Sequence, residues 1–86
     1  MSERPIEQRF AERMRAVRQA RNWSAQEVAN RSGMTRVAIS KIENGDRGIS
    51  IDEAFTLAAA LDVTIEDMTR PGTFAAYSTI AIEVGE

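Results

Sequence analysis

Apolar residues return every three or four positions early in the chain, placing Ile6, Phe10, Met14 and Val17 on one face of a helix. That pattern predicts a first helix over 5–21, since proline is tolerated in a first turn. Four later helix starts are encoded by a Ser or Thr standing at a cap position. Ser24 with Glu27, Ser50 with Glu53 and Thr64 with Asp67 have capping-box spacing, and Thr35 can cap a further helix. Apolar staples flank three of them: Trp23 with Val28, Met34 with Ile39 and Val63 with Met68. The predicted helices cover 25–32, stopping at Gly33; 36–43, stopping at Asn44-Gly45; 51–61; and 65–69, closed by Pro71-Gly72. In the fourth, either Phe55, Ala58 and Leu61 or Ala54 and Leu57 face inward. From Thr73 the period changes to two, with Ile80, Ile82 and Val84 alternating with Ala81 and Glu83.

The expectation is therefore an all-α, five-helix body over 1–72 with a C-terminal β-strand appended over 73–86. An isolated strand leaves its backbone groups unpaired, and the chain offers no second strand. Its partner is expected to be the same strand of a second copy, making a homodimer through residues 74–84.

Composition narrows the function classes. At 86 residues and 43% hydrophobic content the chain is long enough for one compact domain, and its many alanines suit close-packed helices. It has no Cys and no His, which removes the usual zinc ligands, thiol nucleophiles and neutral-pH proton shuttles. No catalysis, no cofactor and no metal are expected. Asp62, Glu66 and Asp67 lack the ligand spacing and the glycine of a calcium loop and read as a solvated helix end. The N-terminal residues lack the apolar run of a signal peptide, and the longest apolar stretch, 54–61, is too short to span a bilayer. A cytoplasmic protein with no membrane partner is the expectation.

Net charge is -2, yet residues 1–48 carry ten Arg or Lys against six acids and residues 49–86 carry one against seven. Such asymmetry suits a positive face for DNA on a molecule kept soluble by its acidic half. The same arginines, Arg9, Arg13, Arg15, Arg18 and Arg21, also suit the solvated face of a single helix.

The second and third helices are separated only by Ser32-Gly33-Met34, a turn so short that they must cross steeply. Ala29 is the small residue such a crossing needs, Gly33 supplies positive φ, and Ile39 and Ile42 pin the third helix to the core. Arg36, Val37, Ser40 and Lys41 are left facing outward.

Through Trp-Ser-Ala-Gln-Glu-Val-Ala at 23–29, Ser-Gly-Met-Thr-Arg at 32–36 and Ile-Ser-Lys-Ile-Glu-Asn-Gly at 39–45, the chain resembles the Cro and phage-repressor family of helix-turn-helix domains. The resemblance extends over about residues 6–70, including Val63 to Met68. It implies a transcriptional regulator that binds double-stranded DNA, with the third helix in the major groove. Carried over by position, Thr35, Arg36, Val37, Ser40 and Lys41 form the DNA-facing set, Arg36 suited to guanine and Val37 to a thymine methyl. Asn44 and Arg47 become phosphate contacts, which position without reading sequence. Arg18 and Glu43 occupy positions that pair in the family. Two departures stand out: Ala25 replaces the glutamine usual at the first position of the second helix, and Ile49 replaces a proline. Two alternative uses share the fold, a protein-interaction module and an antitoxin that binds both DNA and a toxin protein. Trp23 reads as a core staple rather than a base-stacking platform.

Overall fold

The computed structural model describes residues 5–71 of the chain. They form five helices, α1 (Ile6–Ala20), α2 (Ala25–Ser32), α3 (Arg36–Glu43), α4 (Ile51–Leu61) and α5 (Ile65–Thr69), with no strand among the described residues. The strand expected over 74–84 lies outside those residues. α1 starts and stops one residue inside the predicted span. Pro5 has an extended ψ of 149° but its carbonyl already accepts from the Arg9 N–H at 2.9 Å, so it caps the helix without belonging to it.

Each of the other four helices begins at the expected hydroxyl. Ser24, Thr35, Ser50 and Thr64 accept from the backbone N–H groups of Glu27, Ala38, Glu53 and Asp67 at 3.0–3.1 Å. Only Ser50 with Glu53 closes both halves of a capping box, its N–H donating to Glu53 Oε1 at 3.1 Å. At the other two predicted boxes the acid has a competing cation within its own helix or just beyond it. Glu27 accepts from Arg31 at 2.7 Å, and Asp67 from Arg70 at 3.3 Å. The helix ends are equally local. α3 closes with Gly45 at φ 78°, its N–H donating to Ile42 and that of Asp46 to Lys41. α1 and α4 close by the same pair of bonds but place Asn22 and Asp62 at positive φ, a use of non-glycine residues that nothing in the sequence announced.

The core lies where α1 packs against α3, α4 and α5 and where α2 packs against α3 and α4. Phe10, Met14, Val17, Val28, Ile39, Ile42, Leu57, Leu61 and Met68 are fully buried there. On α4 neither expected grouping holds alone. Leu57, Ala58 and Leu61 are buried with Ala54 partly so, an i, i+3, i+4, i+7 stripe that leaves Phe55 one step round the helix and 57% exposed. Ile6, predicted on the inner face of α1, is also 57% exposed, because it sits one turn beyond Phe10 where the packed stripe opens into a groove beside α4.

The arginines of α1 follow neither of their two expected readings as a group. Arg9 and Arg13 are buried at 7% and 5% exposure. Arg9 donates through Nε and Nη2 to the Thr69 carbonyl at 3.2 and 2.8 Å, and Arg13 donates to the carbonyls of Asp67 and Arg70. The carbonyls at the end of α5, left without intrahelical partners as at any helix C-terminus, are thus capped by α1.

Candidate nucleic-acid interface

The turn between α2 and α3 has the geometry its residues demand. Gly33 sits at φ 76° and donates to the Ala29 carbonyl at 2.9 Å, while Ser32 Oγ accepts from the Met34 N–H at 3.3 Å. Ala29 is buried at the crossing and Met34 packs against the core cluster. Ile39 and Ile42 point into the core, so the opposite side of α3 must face out.

On that outward side Arg36, Val37 and Lys41 are exposed, Thr35 and Asn44 are exposed at its two ends, and Ser40 is half-buried. Val37 is 60% exposed, an apolar side chain that no other described residue covers. Neither Arg36 nor Lys41 makes a salt bridge or a side-chain hydrogen bond among the described residues. Their charges are therefore available to a ligand.

Arg47 stands differently. Its guanidinium donates to both carboxylate oxygens of Glu53, at 3.0 and 2.8 Å, and to the Gly48 carbonyl at 2.9 Å. The hydrogen bond from Arg47, reinforced by the Ser50 N–H, holds the Glu53 carboxyl at about 2, and the same pairing raises the Arg47 pKa. The loop between α3 and α4 is thereby stapled to the start of α4. Sequence reasoning missed this clamp, whose signal is an arginine standing three residues before the serine of a capping box.

A second clamp fixes α3 to the body. Glu43, its side chain 4% exposed, accepts from Arg18 Nε at 2.8 Å and Nη2 at 3.0 Å, while Arg18 Nη1 donates to the Trp23 carbonyl at 2.9 Å. This bidentate, charge-assisted bond raises the Arg18 pKa. The pairing anticipated for Arg18 and Glu43 is present. Trp23 packs against the core, with the Arg31 guanidinium 3.9 Å and that of Arg21 5.4 Å from its ring centre. Near the start of α2, Ala25 is half-buried against the core, and the exposed Gln26 donates to Asn30 at 2.9 Å.

Among the described residues no group of three or more Cys, Asp or Glu side chains could hold a metal ion, and no helix is long and apolar enough to cross a membrane.

Comparison with known proteins agrees with this geometry. The chain is 37% identical over 60 residues to the HTH-type transcriptional repressor RghR of Bacillus subtilis (strain 168), a match covering 69% of this chain and 44% of that repressor. The chain thus spans less than half the length of that relative. Among solved structures it resembles the restriction-modification controller protein C.AhdI from Aeromonas hydrophila, at 31% identity and a TM-score of 0.68 over 72% of this chain and 94% of that one. It also resembles SinR, a master regulator for biofilm formation solved in complex with DNA, at 25% identity and a TM-score of 0.64 over 69% of this chain and 95% of that one. The sequence profile of the helix-turn-helix family matches residues 14–68, which contain the whole of the crossing, the turn and α3; the chain belongs to that family, in its Cro and phage-repressor branch.

Proposed function

We propose that this chain is a sequence-specific DNA-binding transcriptional regulator that acts as a homodimer in the cytoplasm, without catalytic activity. The observation that carries the reading is the outward face of α3. Among the described residues Arg36 and Lys41 stand there without a carboxylate partner beside an exposed Val37, while Arg18, Arg31, Arg47 and Arg70 are each engaged by one. Leaving two cations unmatched around an apolar side chain suits a surface that meets phosphates and base edges together.

In this reading α3 lies in the major groove with Arg36 donating two hydrogen bonds to a guanine and Val37 against a thymine methyl. Thr35, Ser40, Lys41 and Asn44 complete the contact. Arg47 would contribute to phosphate through the Nε–H and the one Nη2–H that its clamp leaves over. RghR is named a transcriptional repressor and SinR was solved with DNA, which supports the same role here. Residues 74–84 are proposed to pair between two copies and so bring two α3 helices to successive turns of one DNA face.

Fluorescence anisotropy with labelled duplexes at increasing salt tests the reading. The proposal expects binding that weakens steeply as salt rises, because phosphate contacts release counterions, together with preference for one duplex in a randomised pool. Absence of binding at low salt, or capture of a protein partner in a salt-insensitive manner with no DNA affinity, would overturn it in favour of an interaction module.

A further inference from the structure

Among the described residues four large apolar side chains are exposed. One, Val37, belongs to the α3 face; the other three, Ile6, Ile51 and Phe55, gather around a single groove of about 300 Å³. Phe10 floors it, and Ile65 and Thr69 of α5 form one wall. Ile51 is 77% exposed, although it stands in the first turn of a helix that packs its other side tightly. A contiguous apolar opening on so small a domain marks a surface that something covers.

The geometry points to the chain's own C-terminal segment as the occupant, with Ile80, Ile82 and Val84 seated over Ile6, Ile51 and Phe55. This rests on the reading of residues 74–84 as an extended strand, and it assigns that strand a seat on the helical body. The chain leaves α5 at the groove's own wall, since Thr69 lines it and Pro71 follows two residues later. The nine residues from 72 to 80 can span up to about 30 Å, so the segment can reach every part of the opening. Residues 74–82 carry no charged side chain. Alternate side chains of an extended strand fall on one side about 7 Å apart, which puts Ile80, Ile82 and Val84 in one apolar row that can face the groove together. Covalent attachment beside the groove gives this segment an effective concentration in the millimolar range, an advantage no separate molecule has.

The absence of cysteine from the whole chain makes a direct test available. Full-length protein carrying Phe55→Cys with Ile82→Cys is oxidised at low concentration and its mass read without reductant. A companion protein carries Phe55→Cys with Glu83→Cys, which lies on the opposite side of the strand. Ile51→Cys replaces Phe55→Cys in a second pair should the first fold poorly. The expected result is a disulfide within one chain, formed at least tenfold faster for position 82 than for position 83. Equal rates for the two positions, or a covalent dimer as the main product, would overturn the seat, the latter assigning the groove to a second copy. Sedimentation and duplex binding on the unoxidised samples separate this from the regulator reading. A dimer that binds DNA but shows no preferred disulfide sinks the seat alone. A preferred disulfide in a protein that ignores DNA supports the seat and sinks the regulator.

Discussion

Arg36 opens α3 directly after its Thr35 cap, and among the described residues no carboxylate engages its guanidinium. If it reads a guanine, Arg36→Ala should weaken binding to the preferred duplex by about 1–3 kcal/mol and relax selectivity at one position only. A selection profile and affinity identical to those of the unaltered chain would place the reading face elsewhere. Glu53 illustrates the opposite case, a charge wholly committed to the fold. Its carboxyl is held at about 2 in the folded chain against an ordinary 4.5, so the folded state binds that proton less readily than the unfolded chain does. The clamp with Arg47 therefore contributes its full stability above about pH 5 and loses it as pH falls through 4.5 towards 2. Melting temperature against pH should drop more steeply for the natural chain than for Glu53→Gln, the two curves converging near pH 2. Parallel curves would show that the carboxylate contributes nothing through its charge.

The elements were legible in the sequence to the extent that their signals are local. Ser24, Thr35, Ser50 and Thr64 each cap the helix that follows them, and Gly33 and Gly45 take the positive φ that their turns require. A cap or a turn acts within a few residues, so spacing alone reveals it. The arginines of α1 show where this stops. Arg9 reaches a carbonyl 60 residues away, and whether such a side chain faces water or caps α5 depends on which helix lies alongside. The same holds for Ile6 and Phe55, whose apolar character fits a stripe but which no other described helix covers. For the candidate site, the outward set on α3 followed from the inward anchors Ile39 and Ile42, whereas the engagement of Arg47 by Glu53 needed the loop's path. The crossing of α2 and α3 is the element on which the site's shape rests, and Ala29 is buried within it. Ala29→Leu should destabilise the fold by about 1–3 kcal/mol through overpacking, measured by urea unfolding. It should also lower duplex affinity by displacing α3. An unfolding midpoint equal to that of the natural chain would mean that the crossing tolerates bulk and that α3 is positioned by its Arg18–Glu43 tie instead.

At the scale of the whole molecule, the reading proposed above gives the helical body and the segment after it separable tasks. Every fully buried side chain among the described residues lies between Phe10 and Met68, so the five-helix body carries its own core. A chain truncated after Gly72 should therefore remain folded. What it should lose is the pairing of two copies, because the segment proposed to form the shared strand is gone. Half-sites about 34 Å apart lie one turn of DNA from each other on the same face, and joining two α3 helices across that distance makes the second binding event intramolecular. Linkage of this kind raises affinity by about 10²–10⁴-fold without any new contact. The truncated chain should accordingly sediment as a monomer at micromolar concentration and bind a palindromic duplex weaker by a factor of that order, while its affinity for a single half-site stays the same. The half-site measurement excludes a trivial loss of folding, since the contact proposed for Arg36 and Lys41 does not involve the removed residues. A truncated chain that remained dimeric and bound the palindrome as tightly as the full chain would move the dimer contact onto the helical body, where the groove beside Ile51 and Phe55 offers an exposed apolar surface.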